Sequence, residues 1–147
     1  MMLDLVLAIG HHVLAFLLAA LLAMEFAIIR PGLRRADLPR LSRIDGLYGA
    51  VAAAIIVVGI GRVVFGLKGW EYYVFYPVFW AKMAAFAIVG LLSIAPTIRI
   101  ARWRRAAGTD VVPDEEIRML RNFLKAEAAV FVLIPIFAAV MARGYYA

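Results

Sequence analysis

Cysteine is absent from the 147 residues of this chain. That excludes disulfides, zinc–thiolate centres and cysteine-ligated iron–sulfur clusters. Histidine occurs only as the doublet His11-His12. Charged side chains make up 18% of the chain, too few to cover the surface of a soluble domain. No internal repeat or low-complexity tract interrupts it. Length and composition accommodate one transmembrane domain over 1–147, not two domains. A cleavable leader is not expected. The first apolar run is too long for a signal-peptide core, and it ends in Ile28-Ile29-Arg30-Pro31 rather than in small residues.

Apolar side chains fill the space left by these absences. The chain is 66% hydrophobic, with mean hydropathy +0.92, which is the composition of an integral membrane protein. Four segments are long enough to cross a hydrocarbon core of about 30 Å at about 1.5 Å per helical residue. They are expected at about 3–29, 45–65, 77–98 and 113–142. Arg30-Pro31-Gly32 stops the first, and Pro39 is expected to break any helix in the loop that follows. Gly59 and Gly61 allow close helix contact in the second. Gly66-Leu67-Lys68-Gly69 reads as a turn, and Trp70 to Trp80 as an aromatic belt at one water interface. Pro77 opens the third segment, and Pro96 and Pro135 are expected to kink the third and fourth. Pro113-Asp114-Glu115-Glu116 is a helix start, with acids at the positive end of the helix dipole. Arg143-Gly144-Tyr145-Tyr146 marks the exit of the last segment.

Basic residues fix the expected orientation. Arg30, Arg34, Arg35, Arg40 and Arg43 follow segment one. Arg99, Arg102, Arg104, Arg105, Arg118, Arg121 and Lys125 lie between segments three and four. The other side holds only Lys68 and Arg143, with Arg62 and Lys82 embedded near it. The positive-inside rule then predicts cytoplasmic basic loops, both termini on the outer side, and a multi-pass protein of the cell inner membrane. Short connections predict an all-α, antiparallel four-helix bundle. Net charge +6 and a pI of about 10.1 need no nucleic acid to explain them, because the arginines sit beside apolar runs and face anionic headgroups. The expected partners are the lipid bilayer and either a second copy or a larger membrane complex.

Intramembrane ionisable residues sort by depth. Near the inner side lie Glu25, Asp45 and Glu127, for which ion pairs with loop arginines or snorkelling are expected, with a proton relay reaching them from the outer histidines as the sharper alternative. Near the outer side lie His11, His12, Arg62 and Lys82. The two cations there have no intramembrane acid beside them, since Asp4 and Glu71 are at the edge. Positive charge is therefore available for an anionic ligand such as the propionates of a tetrapyrrole. Imidazole is a common axial ligand of haem iron. Consecutive residues point about 100° apart on a helix, so the doublet cannot supply both ligands of one iron. Met83, Met141 or a second subunit's histidine would supply the other. The small-residue stripe Ala8, His12, Ala15, Ala19, Ala23 suits close packing and slightly favours His12 as the inward ring. The competing stripe runs from His11 through Leu18 and Leu22 to Glu25. The ordinary alternatives are inter-helix hydrogen bonds for the histidines and snorkelling for Lys82 and Arg62.

Several stretches resemble an uncharacterised family of small bacterial four-helix membrane proteins, known only as a domain of unknown function. They are Gly10-His11-His12 with Phe16, Gly59 to Arg62, Phe79-Trp80-Ala81-Lys82, Ser93 to Thr97, Trp103-Arg104-Arg105, and Met141-Ala142-Arg143-Gly144. The likeness covers nearly the whole chain and implies no activity. Helices one and three also resemble the HemJ-type protoporphyrinogen oxidases. Those have an essential histidine in the first helix, an essential lysine in a histidine-alanine-lysine stretch, and haem b. His11 or His12 and Lys82 would match. Trp80 stands where that family has its second histidine, and the first histidine is doubled here.

These readings predict a haem b or porphyrin site between helices one to three, serving redox or tetrapyrrole chemistry. His12 and Lys82 would be catalytic, His12 or His11 the metal ligand, and His11, His12, Arg62 and Lys82 the cofactor-binding set. The alternative from another class is a non-catalytic bundle, acting as a complex subunit or a small-solute or proton transport element.

Overall fold

The computed structural model describes residues 2–66, 69–106 and 110–143. The expected features at Leu67-Lys68, Gly108 and Gly144-Tyr145-Tyr146 lie outside the described residues. Among the described residues five α-helices follow one another: α1 (Met2–Ile28), α2 (Leu38–Phe65), the short α3 (Gly69–Val74), α4 (Pro77–Arg105) and α5 (Asp114–Ala142). All but α3 are long and apolar enough to cross a membrane. In hydrocarbon a backbone N–H has no water to bind, so each span closes its own hydrogen bonds as a helix. The protein is an all-α membrane protein.

Antiparallel neighbours form two hairpins, α1 with α2 and α4 with α5, which meet chiefly along α2 and α4. The two basic loops lie side by side at one end. Arg35 N–H donates to the Asp110 carbonyl at 2.8 Å, and Val112 N–H donates to Leu33 O at 3.0 Å. Gly32 turns the chain out of α1 with φ +80°, a conformation costly to residues with a Cβ, and its N–H donates to Asp114 at the start of α5. That end, here called the basic end, holds most of the dry core. Leu41, Ile100, Ile117 and Leu124 are fully enclosed there with Trp103 and Leu120.

Arginines and one glutamate stitch the basic end together. The Arg35 guanidinium donates to the carbonyls of Trp103 and Ala106, where α4 ends and its last carbonyls lack helical partners. Arg121 does the same for α1, donating to the carbonyls of Phe26 and Ile29 and lying 4.0 Å over the Phe26 ring. Glu116 joins α4 to α5 by accepting from the Trp103 indole at 2.6 Å and from Arg99 at 3.4 Å.

Three expectations about the elements change. Pro39 does not break a helix; it sits in the first turn of α2, where no N–H is needed, so α2 starts seven residues earlier than expected. Segment three runs on past Ile98 to Arg105, because α4 packs Ile100 and Trp103 against α5 beyond the apolar run. The aromatic stretch is not extended belt alone. Gly69–Val74 forms a helix whose Tyr73 is buried, as is Tyr76 beyond it, while Trp70 and Trp80 stay exposed. Both long helices continue through Pro96 and Pro135.

Ile117 is 0% exposed at the meeting point of α5 and the loops. Ile117→Ala should cost about 2–5 kcal/mol of stability, seen as a lower unfolding temperature in detergent with unchanged membrane insertion.

Candidate functional site

Away from the basic end the helices are less tightly filled. A cavity of about 320 Å³ lies there between α1, α2, α4 and α5, with Tyr73 of α3 also on its wall. This is at the small end of the usual range for ligand pockets, about 300–1,000 Å³. Its wall is mostly apolar, with Leu18, Ile55, Phe86 and Phe131 toward the core. Ile60 and Val64, both exposed, stand at its rim. Its ionisable nitrogen groups are His11, Arg62 and Lys82, beside the phenol of Tyr73. Met83 and Met141 line it as well.

The structure thus brings together three of the four residues singled out at this end. His12 is not among them. It is exposed, and its Nδ1 is 2.7 Å from the carbonyl of Ala8, one turn back on the same helix. The slight preference for His12 as the inward ring is reversed. Leu18, Leu22 and Glu25 are buried, whereas Ala23 is exposed, so the interior stripe of α1 is the one that starts at His11. The decisive signal was Glu25. A charged residue must face the bundle interior, and fourteen residues on from His11 it returns to nearly the same face.

His11 packs against α2 at Gly59. A Cβ there would lie 3.8 Å from His11 Cε1 and 4.0 Å from Nδ1, so the ring rests on the α2 backbone with room for little more than a methyl group. The His11 ring stands edge-on to that of His12, with centroids 6.3 Å apart. His11 Nδ1 and Arg62 Nε are shielded from solvent and have no hydrogen-bond partner among the described residues. Lys82 is half-buried, with Nζ 5.7 Å from the centroid of the Phe79 ring. No carboxylate pairs with Arg62 or Lys82 among the described residues. The neighbouring Trp80 faces outward, its indole N–H donating to the Val74 carbonyl at 2.9 Å.

A second polar layer lies toward the basic end and departs from expectation. Glu25 and Glu127 are 2% and 1% exposed, and neither forms an ion pair with a loop arginine or with Lys125 among the described residues. Glu127 Oε1 accepts from the Tyr48 hydroxyl at 2.5 Å, and Asp45 accepts from the Thr97 hydroxyl at 2.7 Å. Arginine pairing fails because the nearby guanidiniums are held by other groups, Arg121 by the α1 carbonyls and Arg104 by Ser42. Tyr48 and Thr97 were not singled out from the sequence. Hydroxyl-bearing residues on apolar helices are common, and nothing local marks these two as partners of the acids.

Four helices long and apolar enough to span a membrane, around a cavity away from the basic end and over a buried acidic layer, define a small multi-pass membrane protein. Residues 3–146 match the family described as Predicted membrane protein (DUF2214), and the chain belongs to that family. Comparison with the curated proteins and with the solved structures gave no match.

The Tyr48–Glu127 bond joins α2 to α5 inside the core. Tyr48→Phe leaves a buried carboxyl oxygen without its donor and should lower stability by about 1–3 kcal/mol. Thr97→Val, at an exposed position, should cost less in the same detergent unfolding measurement.

Proposed function

We propose that the cavity binds an acidic, largely apolar ligand of the tetrapyrrole class, haem b or a porphyrin. One observation carries this reading. A shielded imidazole nitrogen and a shielded guanidinium nitrogen, both without hydrogen-bond partners among the described residues, lie on the wall of an apolar cavity that also takes a lysine with no carboxylate paired to it among those residues. Polar atoms in such a place are normally hydrogen-bonded, and an acidic ligand would meet that need. Arg62 and Lys82 would hold propionates through charge-assisted hydrogen bonds. His11 is the residue suited to ligate iron, with Met83 or Met141 as the thioether on the same wall. His12 does not fit that role, because its ring faces away and Nδ1 is engaged by Ala8. A bound haem supplies one-electron chemistry. The chain's own contribution is to exclude water with Leu18, Ile55, Phe86 and Phe131 and to fix the ligand's charged edge. The exposed Ile60 and Val64 at the rim suit entry of a flat apolar molecule from the bilayer.

Haem and protoporphyrin titrations of the detergent-purified protein test the reading. Wild type and His12→Ala should give the sharpened Soret band of a ligated haem, and His11→Ala should lose it. Arg62→Met and Lys82→Met should each weaken binding about tenfold or more, the worth of one charge-assisted hydrogen bond. A wild-type protein that alters the spectrum of neither compound overturns the proposal. The non-catalytic bundle would then be the better reading.

The basic loops set the proposed orientation, with the cavity on the outer side of the inner membrane. The native chain has no cysteine to interfere, so single cysteines test it directly. Glu71→Cys should react with an impermeant maleimide from outside. Arg40→Cys should react only after the inner face is opened.

A further inference from the structure

The acidic layer near the basic end takes no part in the cavity. Glu25 of α1, Asp45 of α2 and Glu127 of α5 share it, with Asp45 and Glu127 the acids close to Glu25. The titratable Tyr48 of α2 and the neutral Thr97 of α4 are the hydroxyls facing it. On α5, Lys125 lies two residues from Glu127 but is exposed and forms no ion pair with it among the described residues, and Arg121 is held by the carbonyls of Phe26 and Ile29.

Counting donors shows what the layer lacks. Tyr48 spends its one proton on Glu127 Oε1 and Thr97 makes its shorter bond to Asp45. Glu25 Oε1 and Glu127 Oε2 are left buried, with no hydrogen-bond partner among the described residues. Both belong to side chains that are almost wholly enclosed. A carboxylate oxygen can only accept, whereas a carboxylic acid carries its own donor. A metal ion is a poorer answer, because no three acidic or histidine side chains are arranged to hold one among the described residues.

We propose that Glu25, Asp45 and Glu127 form a proton-binding site inside the bundle, in which protons, and not arginine partners, balance the buried acids. Its access is from the basic end. Glu25 is three residues from the end of α1, about 5 Å of helix, whereas His11 is about 21 Å away. Buried Leu18, Leu22, Val51 and Ile55 fill the space between the two polar layers. The site therefore exchanges protons with the basic-loop side and does not depend on what the cavity binds.

Infrared spectroscopy of the full-length protein in lipid bilayers tests this. At neutral pH the wild type should show the C=O stretch of a protonated carboxylic acid, shifted down in D2O. The band should fall in Glu25→Gln and in Glu127→Gln, and any remainder in the double variant should go with Asp45→Asn. Labelling the unaltered protein with ¹³C-glutamate should shift the same band, which answers the question even where a variant fails to fold. A wild type without the band overturns the proposal, as does a band that ignores the glutamate label. Loss of the band on adding sodium or potassium ions also overturns it, in favour of a metal cation as the ligand.

Discussion

A chain in hydrocarbon must satisfy every polar group from its own atoms, and the architecture follows from that. Backbone groups close into four long helices because nothing else in the bilayer can pair with them. Side chains obey the same constraint less completely. Glu25, Glu127, Arg62, Lys82 and His11 turn inward, because the alternative is contact with lipid tails. Where the helix carbonyls run out, Arg35 and Arg121 cap them from across the bundle. Two of the cations near the basic end are thereby held at helix ends.

This division of labour separates the molecule into two halves. Near the basic end, large aliphatic side chains and Trp103 form a buried core beside the loop–loop contact at Arg34 and Val111. Beyond Leu18 and Ile55 the filling thins, and the cavity forms where His11, Arg62 and Lys82 meet. The polar layers have opposite character. One carries fixed cations and an imidazole, and the other carries only acids and hydroxyls. An apolar plug keeps them apart, so they are better understood as two sites than as one path.

Much of this was legible in the residues. The spans were found within a few positions, except where Pro39 started a helix it was expected to break and where α4 outran its apolar stretch. Gathering Arg62 and Lys82 with a histidine at one level followed from counting residues along helices. Choosing His11 over His12 was open to the same counting, because Glu25 shares the face of His11, but the small-residue stripe through His12 pointed the other way. A histidine can also satisfy itself locally, as His12 does on Ala8, and no pattern announces that choice. The acids near the basic end differ from expectation for a related reason. Proximity in sequence to arginines says nothing about which carbonyls those arginines will reach first.

Sequence alone determined the class of protein, the number of spans and the clustering of positive charge at one end. Those depend on hydropathy and loop charge, which add up residue by residue and need no partner. The tertiary structure decided the rotation of α1, the pairing of Tyr48 with Glu127 and of Thr97 with Asp45, and the place where packing leaves a cavity. Each depends on how one helix turns against its neighbours. That angle is set by the sum of contacts across the bundle and is written in no single segment.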